Sequence, residues 1–224
     1  METRYDGPVT LTRLEFGGKV VHVARPGDPD RLLNDPRVLE LNDRDDYMPY
    51  WAYLWPGAYL LAEAVAREPW PGGDIEVLEI GCGVGLAGLV ALACGLRVHF
   101  TDYDAAPLGM VARGASASGF DPSRYRASTL DWREPSEGRH PVILGADVLY
   151  ERRLVPLVVG VIDTMLAPGG LALLAGPYRV ATEDLPACLD AAGLRHQSTP
   201  IVATTEAGDA VRGTLYRVWR GELA

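Results

Sequence analysis

The rhythm of apolar positions along this chain changes near residue 75. Downstream of it, short β-branched runs alternate with longer segments whose apolar residues recur every three or four positions, the mark of strands alternating with helices. The run 75–80 suits a buried parallel strand, and the almost wholly apolar 84–94 is long enough for a helix that closes at Gly95. A second strand is predicted over 97–102, then a helix over 107–117, weakened by Gly109 and Gly114 and closed by Gly119. Strands follow over 125–132 and 141–147. Leu154, Leu157, Val158, Val161 and Met165 then recur at helical spacing, with Pro156 tolerable in the first turn and Pro168-Gly169-Gly170 as the stop. A fifth strand is predicted over 171–175 and a further helix over 183–192. The segments 198–204 and 211–219 flank the turn-rich Glu206-Ala207-Gly208-Asp209 and read as a terminal antiparallel hairpin. The sum is an α/β fold: a doubly wound, mainly parallel sheet with an antiparallel hairpin at its C-terminal edge.

The first fifty residues differ. Segments 9–16 and 19–24 flank Gly17-Gly18, the composition of a tight β-hairpin, and 25–46 is rich in Pro, Asp and Arg without clear periodicity. Residues 1–46 are expected to be a hairpin or lid appendage, too small to fold alone, on a domain spanning 47–224. That domain opens on the aromatic run Pro49-Tyr50-Trp51-Ala52-Tyr53-Leu54-Trp55-Pro56-Gly57. The helix after it should bury Ala58, Leu61, Ala62 and Val65 and pair Glu63 with Arg67 outside.

Composition narrows the function classes. The 224 residues are 48% hydrophobic and 23% charged, a globular balance long enough for a full core. A net charge of −9 and a pI near 4.9 argue against nucleic acid as the main partner, since phosphate binding needs a basic face. Cys82, Cys94 and Cys188 cannot all pair, and no His/Cys cluster suggests a metal. No signal peptide or long apolar span stands out, so no membrane association and a reducing cytoplasm are the expectation. The oligomeric state is open.

The chemistry concentrates at predicted strand ends. Glu79-Ile80-Gly81-Cys82-Gly83-Val84-Gly85 joins the first strand to its helix, where missing Cβ atoms let backbone N–H groups approach a ligand. A dinucleotide fingerprint wants G-x-G-x-x-G, but Leu86 stands where the third glycine would be. The spacing Glu79-x-Gly81-x-Gly83-x-Gly85 resembles instead the first motif of class I S-adenosylmethionine (AdoMet) methyltransferases. The second strand ends at Asp102, about 20 residues on, where a carboxylate that accepts from ribose hydroxyls belongs. A turn or helix-cap role is its alternative. The third strand ends in Asp131-Trp132: the indole could stack on adenine and Asp131 accept from the exocyclic amine, or Trp132 could merely plug the sheet edge. The fourth ends in Asp147-Val148-Leu149-Tyr150, beside the reactive end of a cofactor held by the first strand. Asp147 and the Tyr150 hydroxyl could hold an amine in line for methyl transfer; the alternative for Asp147 is a cap on the next helix.

In this order, the aromatic run, the glycine turn, Thr101-Asp102, Asp131-Trp132 and Asp147-x-x-Tyr150 resemble the seven-strand protein-lysine methyltransferases, methyltransferase family 16. The aromatic run and Gly176-Pro177-Tyr178-Arg179 are similar to those of the member acting on the electron-transfer flavoprotein β subunit. The resemblance covers roughly residues 47–180. It implies a Rossmann-like seven-strand sheet, AdoMet as cofactor and S-adenosylhomocysteine as product. It also implies that Trp55 contacts the methionine moiety and that Glu79, Gly81, Cys82, Gly83 and Gly85 form the cofactor floor. Asp102 would bind ribose, Tyr103 and Trp132 sandwich adenine near Asp131 and Ala146, and Asp147 and Tyr150 face the amine. The implied reaction is N-methylation of a lysine side chain in a protein, to which the acidic run Asp43-Arg44-Asp45-Asp46 would draw a cationic substrate. A small-molecule N- or O-methyltransferase, a noncatalytic AdoMet-binding module and, more distantly, an NAD oxidoreductase are the rival readings.

Overall fold

Among the described residues, nine strands and seven α-helices form. The structure is a computed structural model that describes residues 5–178 and 180–221, without the side chains of Asp45, Val180 and Ala181. Strands β1 (Val9–Phe16) and β2 (Lys19–Pro26) make the N-terminal hairpin, turned by Gly17 and Gly18, both at positive φ. Helices α1 (Asp30–Leu33), α2 (Pro36–Asp45) and α3 (Pro56–Arg67) lead to β3 (Glu76–Ile80). Then come α4 (Leu86–Ala93), β4 (Arg97–Asp102), α5 (Ala106–Ala117), β5 (Tyr125–Thr129) and β6 (His140–Ala146). Helix α6 (Val155–Met165), β7 (Leu166–Gly176), α7 (Leu185–Ala191), β8 (Arg195–Thr204) and β9 (Ala210–Trp219) complete the chain.

The main sheet runs β5-β4-β3-β6-β7-β9-β8. The first five strands are parallel, β9 is antiparallel to β7, and β8 is antiparallel to β9, as the doubly wound pattern with a closing hairpin predicts. The chain steps outward from β3 through β4 to β5, then crosses back to place β6 on the other side of β3. That reversal opens a crevice at the carboxyl ends of β3 and β6, where open α/β sheets bind ligands.

Each face of the sheet buries its own core. On one side lie residues of α3, α4 and α5 such as Leu61, Leu89 and Val111, packed on Val77, Phe100 and Leu144; on the other, Val158, Ile162 and Leu189 of α6 and α7 pack on Ile80, Ile143 and Leu174. The N-terminal hairpin joins the first core through Leu14, Phe16, Val21, Val23 and Ala24. It lies on the helix layer: the His22 N–H donates to Ser118 Oγ at 2.8 Å, and a Cβ on Gly114 would come within 2.8 Å of the His22 carbonyl.

Three local expectations are corrected. Segment 25–46 contains α2, started by Asp35, whose carboxylate accepts from the Arg37 N–H at 2.8 Å, with Pro36 in the first turn. Its pattern escapes periodicity because Val38 is the one α2 side chain among those described that is buried. Pro168-Gly169-Gly170 is not the gap between α6 and the strand but a bulge inside β7: His140 pairs with Leu166 and Val142 with Leu171, so the extra residues loop out. Ala58 is half-buried rather than core, while the Glu63–Arg67 pair forms at 2.5 Å as expected.

Candidate active site

The glycine turn is built from three left-handed residues. Gly81, Gly83 and Gly85 have φ of 57, 51 and 78°, a region where a side chain costs about 1–2 kcal/mol. Close contacts add to the requirement. A Cβ on Gly81 would sit 2.9 Å from Trp132 Cζ2, and one on Gly85 2.8 Å from Val111 Cγ2. The Cys82 N–H donates to the Thr101 carbonyl at 2.8 Å, and the Gly85 N–H to the Cys82 carbonyl at 2.8 Å, which closes the turn onto the end of β4.

Two carboxyl groups lie beneath it. Glu79 is fully buried and accepts from the Gly88 N–H at 3.1 Å; burial pushes its pKa up to about 8 against the pull of that bond. Asp102 accepts from the Gly83 N–H at 2.8 Å and the Asp104 N–H at 3.1 Å, and burial pushes it up to about 6 against those two bonds. Asp102 therefore fastens the turn from below as well as facing the crevice. Burial also drives the Cys82 thiol well above its ordinary range, which keeps it neutral.

Above the turn lies the aromatic run. Residues Tyr50–Ala52 form a 3₁₀ turn whose buried Trp51 passes within 3.6 Å of where a Gly83 Cβ would be. The Trp51 indole N–H donates to the Tyr47 hydroxyl at 3.3 Å, and Tyr47 donates in turn to the buried Asp104. Pro56 begins α3 and Gly57 follows, its N–H donating to Asp147 Oδ2 at 2.5 Å. No Cβ fits at Gly57, because it would lie 2.5 Å from that oxygen and 2.8 Å from the Ala175 carbonyl. Asp147 adopts φ 53°, and its N–H donates to Ala175 at 2.8 Å. The carboxylate thus caps a helix, as its alternative reading held, but caps the earlier α3 rather than the helix that follows it.

Tyr50 stands edge-on to both Tyr150, with ring centroids 5.5 Å apart, and Trp55, at 5.8 Å; Tyr53 lies 6.0 Å from Trp55. The four rings wall the mouth of a single cavity of about 800 Å³, within the range of cofactor and drug-sized pockets. Every residue expected at the site lines it except Gly85, whose neighbours Val111 and Phe100 place it behind the floor. The rings expected to sandwich adenine make other contacts: Trp132 lies against Gly81, and Tyr103 against Arg133. Trp51 lines the cavity as part of the aromatic run, while the lining residues Tyr47 and Arg133 and the supporting role of Gly57 go beyond the sequence reading. A glycine directly after a helix-starting proline is the one local sign that pointed to it. Of the acidic run, Asp46 lines the rim and lies 3.9 Å from the Arg153 guanidinium. Arg179 of the Gly-Pro-Tyr-Arg element lies outside the described residues.

The donor set suits AdoMet. Positive-φ glycines leave room above the floor, and buried carboxyls lie where a cationic ligand would relieve their isolation. Among the described residues there is no group of three or more His, Cys, Asp or Glu side chains able to hold a metal, and no helix long and apolar enough to cross a membrane.

Comparison with known proteins agrees with the geometry. The family profile described as lysine methyltransferase matches residues 52–184. The chain is 28% identical over 131 residues to mouse EEF1A lysine methyltransferase 3, covering 57% of this chain and 56% of that protein. It is 27% identical over 158 residues to rat histone-arginine methyltransferase METTL23, covering 67% and 69%. With the electron transfer flavoprotein beta subunit lysine methyltransferase of Xenopus laevis it shares 27% over 129 residues, covering 57% and 52%. The chain thus spans between about half and two thirds of these relatives. Among solved structures, a SAM-dependent methyltransferase from Methanosarcina mazei matches with TM-score 0.56 at 13% identity, covering 69% of this chain and 96% of that one. Magnesium protoporphyrin IX methyltransferase from Synechocystis, with bound SAH, matches with TM-score 0.55 at 16%, covering 71% and 79%. These two bear on the fold alone. With the profile matched over more than half its length, the chain belongs to the lysine methyltransferase family, methyltransferase family 16.

Proposed function

We propose that this chain is an AdoMet-dependent N-methyltransferase whose acceptor is a lysine side chain of a protein. One observation carries the reading: the glycine floor with its carboxyls and the Asp147–Tyr150 pair with its aromatic mouth line one continuous cavity. Bound AdoMet would supply an electrophilic methyl group, transferred as the amine lone pair forms the C–N bond, the C–S bond breaks and the amine gives up a proton. Glu79, Gly81, Cys82 and Gly83 form the floor, Asp102 serves the ribose end, Ala146 lies nearby, and Trp55 serves the methionine end. Asp147 and Tyr150 receive the amine. Burial, with Glu151 and Tyr50 beside it, raises the Tyr150 phenol to about 12, so it stays protonated at neutral pH and orients the amine instead of removing its proton. The exposure of Tyr50, Trp55 and Tyr150 at the mouth favours a protein side chain over an enclosed metabolite. In this reading, residues 1–46 are an appendage to the catalytic unit 47–224, and the three unpaired cysteines suit a reducing cytoplasm.

A guanidinium acceptor is the second reading, favoured by the arginine methyltransferase named among the relatives. The test is incubation with methyl-labelled AdoMet and source-cell lysate, followed by hydrolysis and amino-acid analysis. Methyl-lysine in protein is expected. Methyl-arginine would transfer the assignment to the second reading, label confined to small molecules would point to a metabolite enzyme, and binding without turnover to a noncatalytic module. Lys19 is the one lysine in the chain, so self-labelling is checked with Lys19→Arg.

A further inference from the structure

Asp30 opens α1 and stands off the cavity wall, yet one of the rings at the mouth depends on it. The Tyr53 hydroxyl donates to Asp30 Oδ1 at 2.7 Å. That bond first, then burial and the charges of Asp30 and Asp28, push the Tyr53 phenol up to about 12, so it keeps its proton at neutral pH. Asp30 is itself held in place. Leu32, two residues on, is buried in the core that the N-terminal hairpin shares with the helix layer. The Gly27 N–H donates to the Pro8 carbonyl at 2.7 Å and the Asp28 N–H to the Tyr5 hydroxyl at 3.1 Å, so the chain entering the hairpin grips the chain leaving it for α1. On its other side the Tyr53 ring lies 6.0 Å from Trp55, whose indole N–H donates to the Tyr50 carbonyl at 2.7 Å.

A phenol hydroxyl has one proton to donate and two lone pairs with which to accept. Asp30 takes the proton. What Tyr53 offers to an arriving chain is therefore acceptor capacity alone, which a guanidinium or ammonium can use and a carboxylate cannot. We propose that Asp30 is a positioning residue for the acceptor: by taking the Tyr53 proton it makes this part of the mouth a hydrogen-bond acceptor, and so selects target lysines flanked by a cationic residue over those flanked by a carboxylate. Specificity of this kind is a difference between two affinities, set as much by what the mouth rejects as by what it binds. The proposal rests on the lysine methyltransferase reading and gives the N-terminal appendage a part in acceptor choice.

Two lysine peptides test this, alike except for arginine or glutamate beside the target lysine, with methyl-labelled AdoMet as donor and kcat and KM read for each. The wild type should favour the arginine peptide about 10-fold in kcat/KM, expressed mainly in KM, on the scale of one hydrogen bond made and refused. Tyr53→Phe and Asp30→Ala should each reduce that preference about 5-fold, and Asp30→Ala should add little in the Tyr53→Phe background, because it acts through the hydroxyl. Asp30→Asn, which keeps an oxygen to accept the phenol proton, should retain most of the preference. Asp30 is exposed and Tyr53 half-buried, so the variants should fold, which circular dichroism verifies. With tyrosine labelled by carbon-13 at Cζ, the Tyr53 resonance, identified by its loss in Tyr53→Phe, should move in Asp30→Ala. Equal use of the two peptides, preference for glutamate, or an unmoved resonance overturns the proposal. So does a fall in preference on Asp30→Ala that persists in the Tyr53→Phe background. A wild type that methylates lysine in lysate protein but neither peptide overturns it too and leaves the function standing, whereas one that methylates no protein lysine removes both.

Discussion

Replacing Asp147 separates the capping bond its position makes from the amine-binding role proposed for it. Its carboxylate caps α3 through the 2.5 Å bond from Gly57, and its backbone sits at φ 53°. Asp147→Ala removes a bond to a charged acceptor, a loss of about 1.5–3 kcal/mol, leaving the Gly57 N–H without that partner. It also forces an alanine into the left-handed region, at roughly 1 kcal/mol. The expected destabilisation is about 3 kcal/mol, which in a chain of this size lowers Tm by roughly 6–12 °C. Asp147→Asn keeps an acceptor oxygen and tolerates the left-handed backbone, so it should lower Tm by no more than about 4 °C, matching a loss of about 1 kcal/mol. Turnover should follow a different order. If the negative charge holds and neutralises the incoming amine, both variants should lose about 100-fold or more in kcat, the scale of a positioned acid or base, with AdoMet affinity within a few-fold. Thermal melts and single-turnover methylation of the identified acceptor measure the two effects. Near-normal kcat in Asp147→Asn would show that the carboxylate acts only as a cap. An unshifted Tm in Asp147→Ala would refute the capping argument.

Other consequences follow from the cofactor floor and mouth. Asp102→Ala should weaken AdoMet binding at least about 10-fold and also cost stability, because its carboxylate holds the Gly83 and Asp104 N–H groups; an unchanged Kd by calorimetry would make Asp102 a turn residue only. AdoMet affinity should rise with pH through about 6 for Asp102 and about 8 for Glu79, since a cationic ligand prefers both carboxyls ionised; a flat Kd from pH 5 to 8.5 would contradict this. In the unliganded chain the sign reverses: both folded values are raised, so the stability they contribute is complete below pH 3.8–4.5 and is lost as pH rises through about 6 and then about 8, measurable by denaturant titration. Gly81→Ala should abolish detectable AdoMet binding, because the new methyl meets Trp132 at 2.9 Å and adopts φ 57°; retention of wild-type affinity would show that the turn shifts freely. Tyr150→Phe should lower kcat less than Asp147→Asn, as the ring facing Tyr50 remains.

What the sequence made legible was whatever neighbours along the chain decide. Strand β4 falls on the predicted residues, and the glycine spacing locates the floor, because a βα turn is a local object whose φ values demand glycine. Helix α2 was hidden because its exposure is nearly uniform; its sign was the Asp35-Pro36 start, not periodicity. The partner of Asp147 was hidden for another reason. Gly57 lies 90 residues away in sequence, and only the return of β6 beside β3 brings the two together. Capping chemistry could therefore be read from Asp147, but not which helix it caps. Arg133 likewise has no motif of its own, and its partner Tyr103 is supplied by another strand end.

The segment from Tyr47 to Gly57 ties these distant parts into one device. Tyr47 is bound to Asp104 after β4, Trp51 covers Gly83, and Gly57 is fastened to Asp147 at the end of β6. The same eleven residues also present Tyr50, Tyr53 and Trp55 to the mouth. In the proposed reading, a substitution at the glycine turn is expected to alter acceptor binding through this segment, and one at the aromatic rings to alter AdoMet affinity by the same factor. The anchors are buried or half-buried and depend on close fit, whereas Tyr50 and Trp55 are exposed and held by ring contacts with one another, Tyr150 and Tyr53. Substitution can therefore retune the entrance at Tyr50 without breaking one of the anchors. At Tyr47, Trp51 or Gly57 it cannot, because each of these three fastens the segment to a strand end or to the glycine turn.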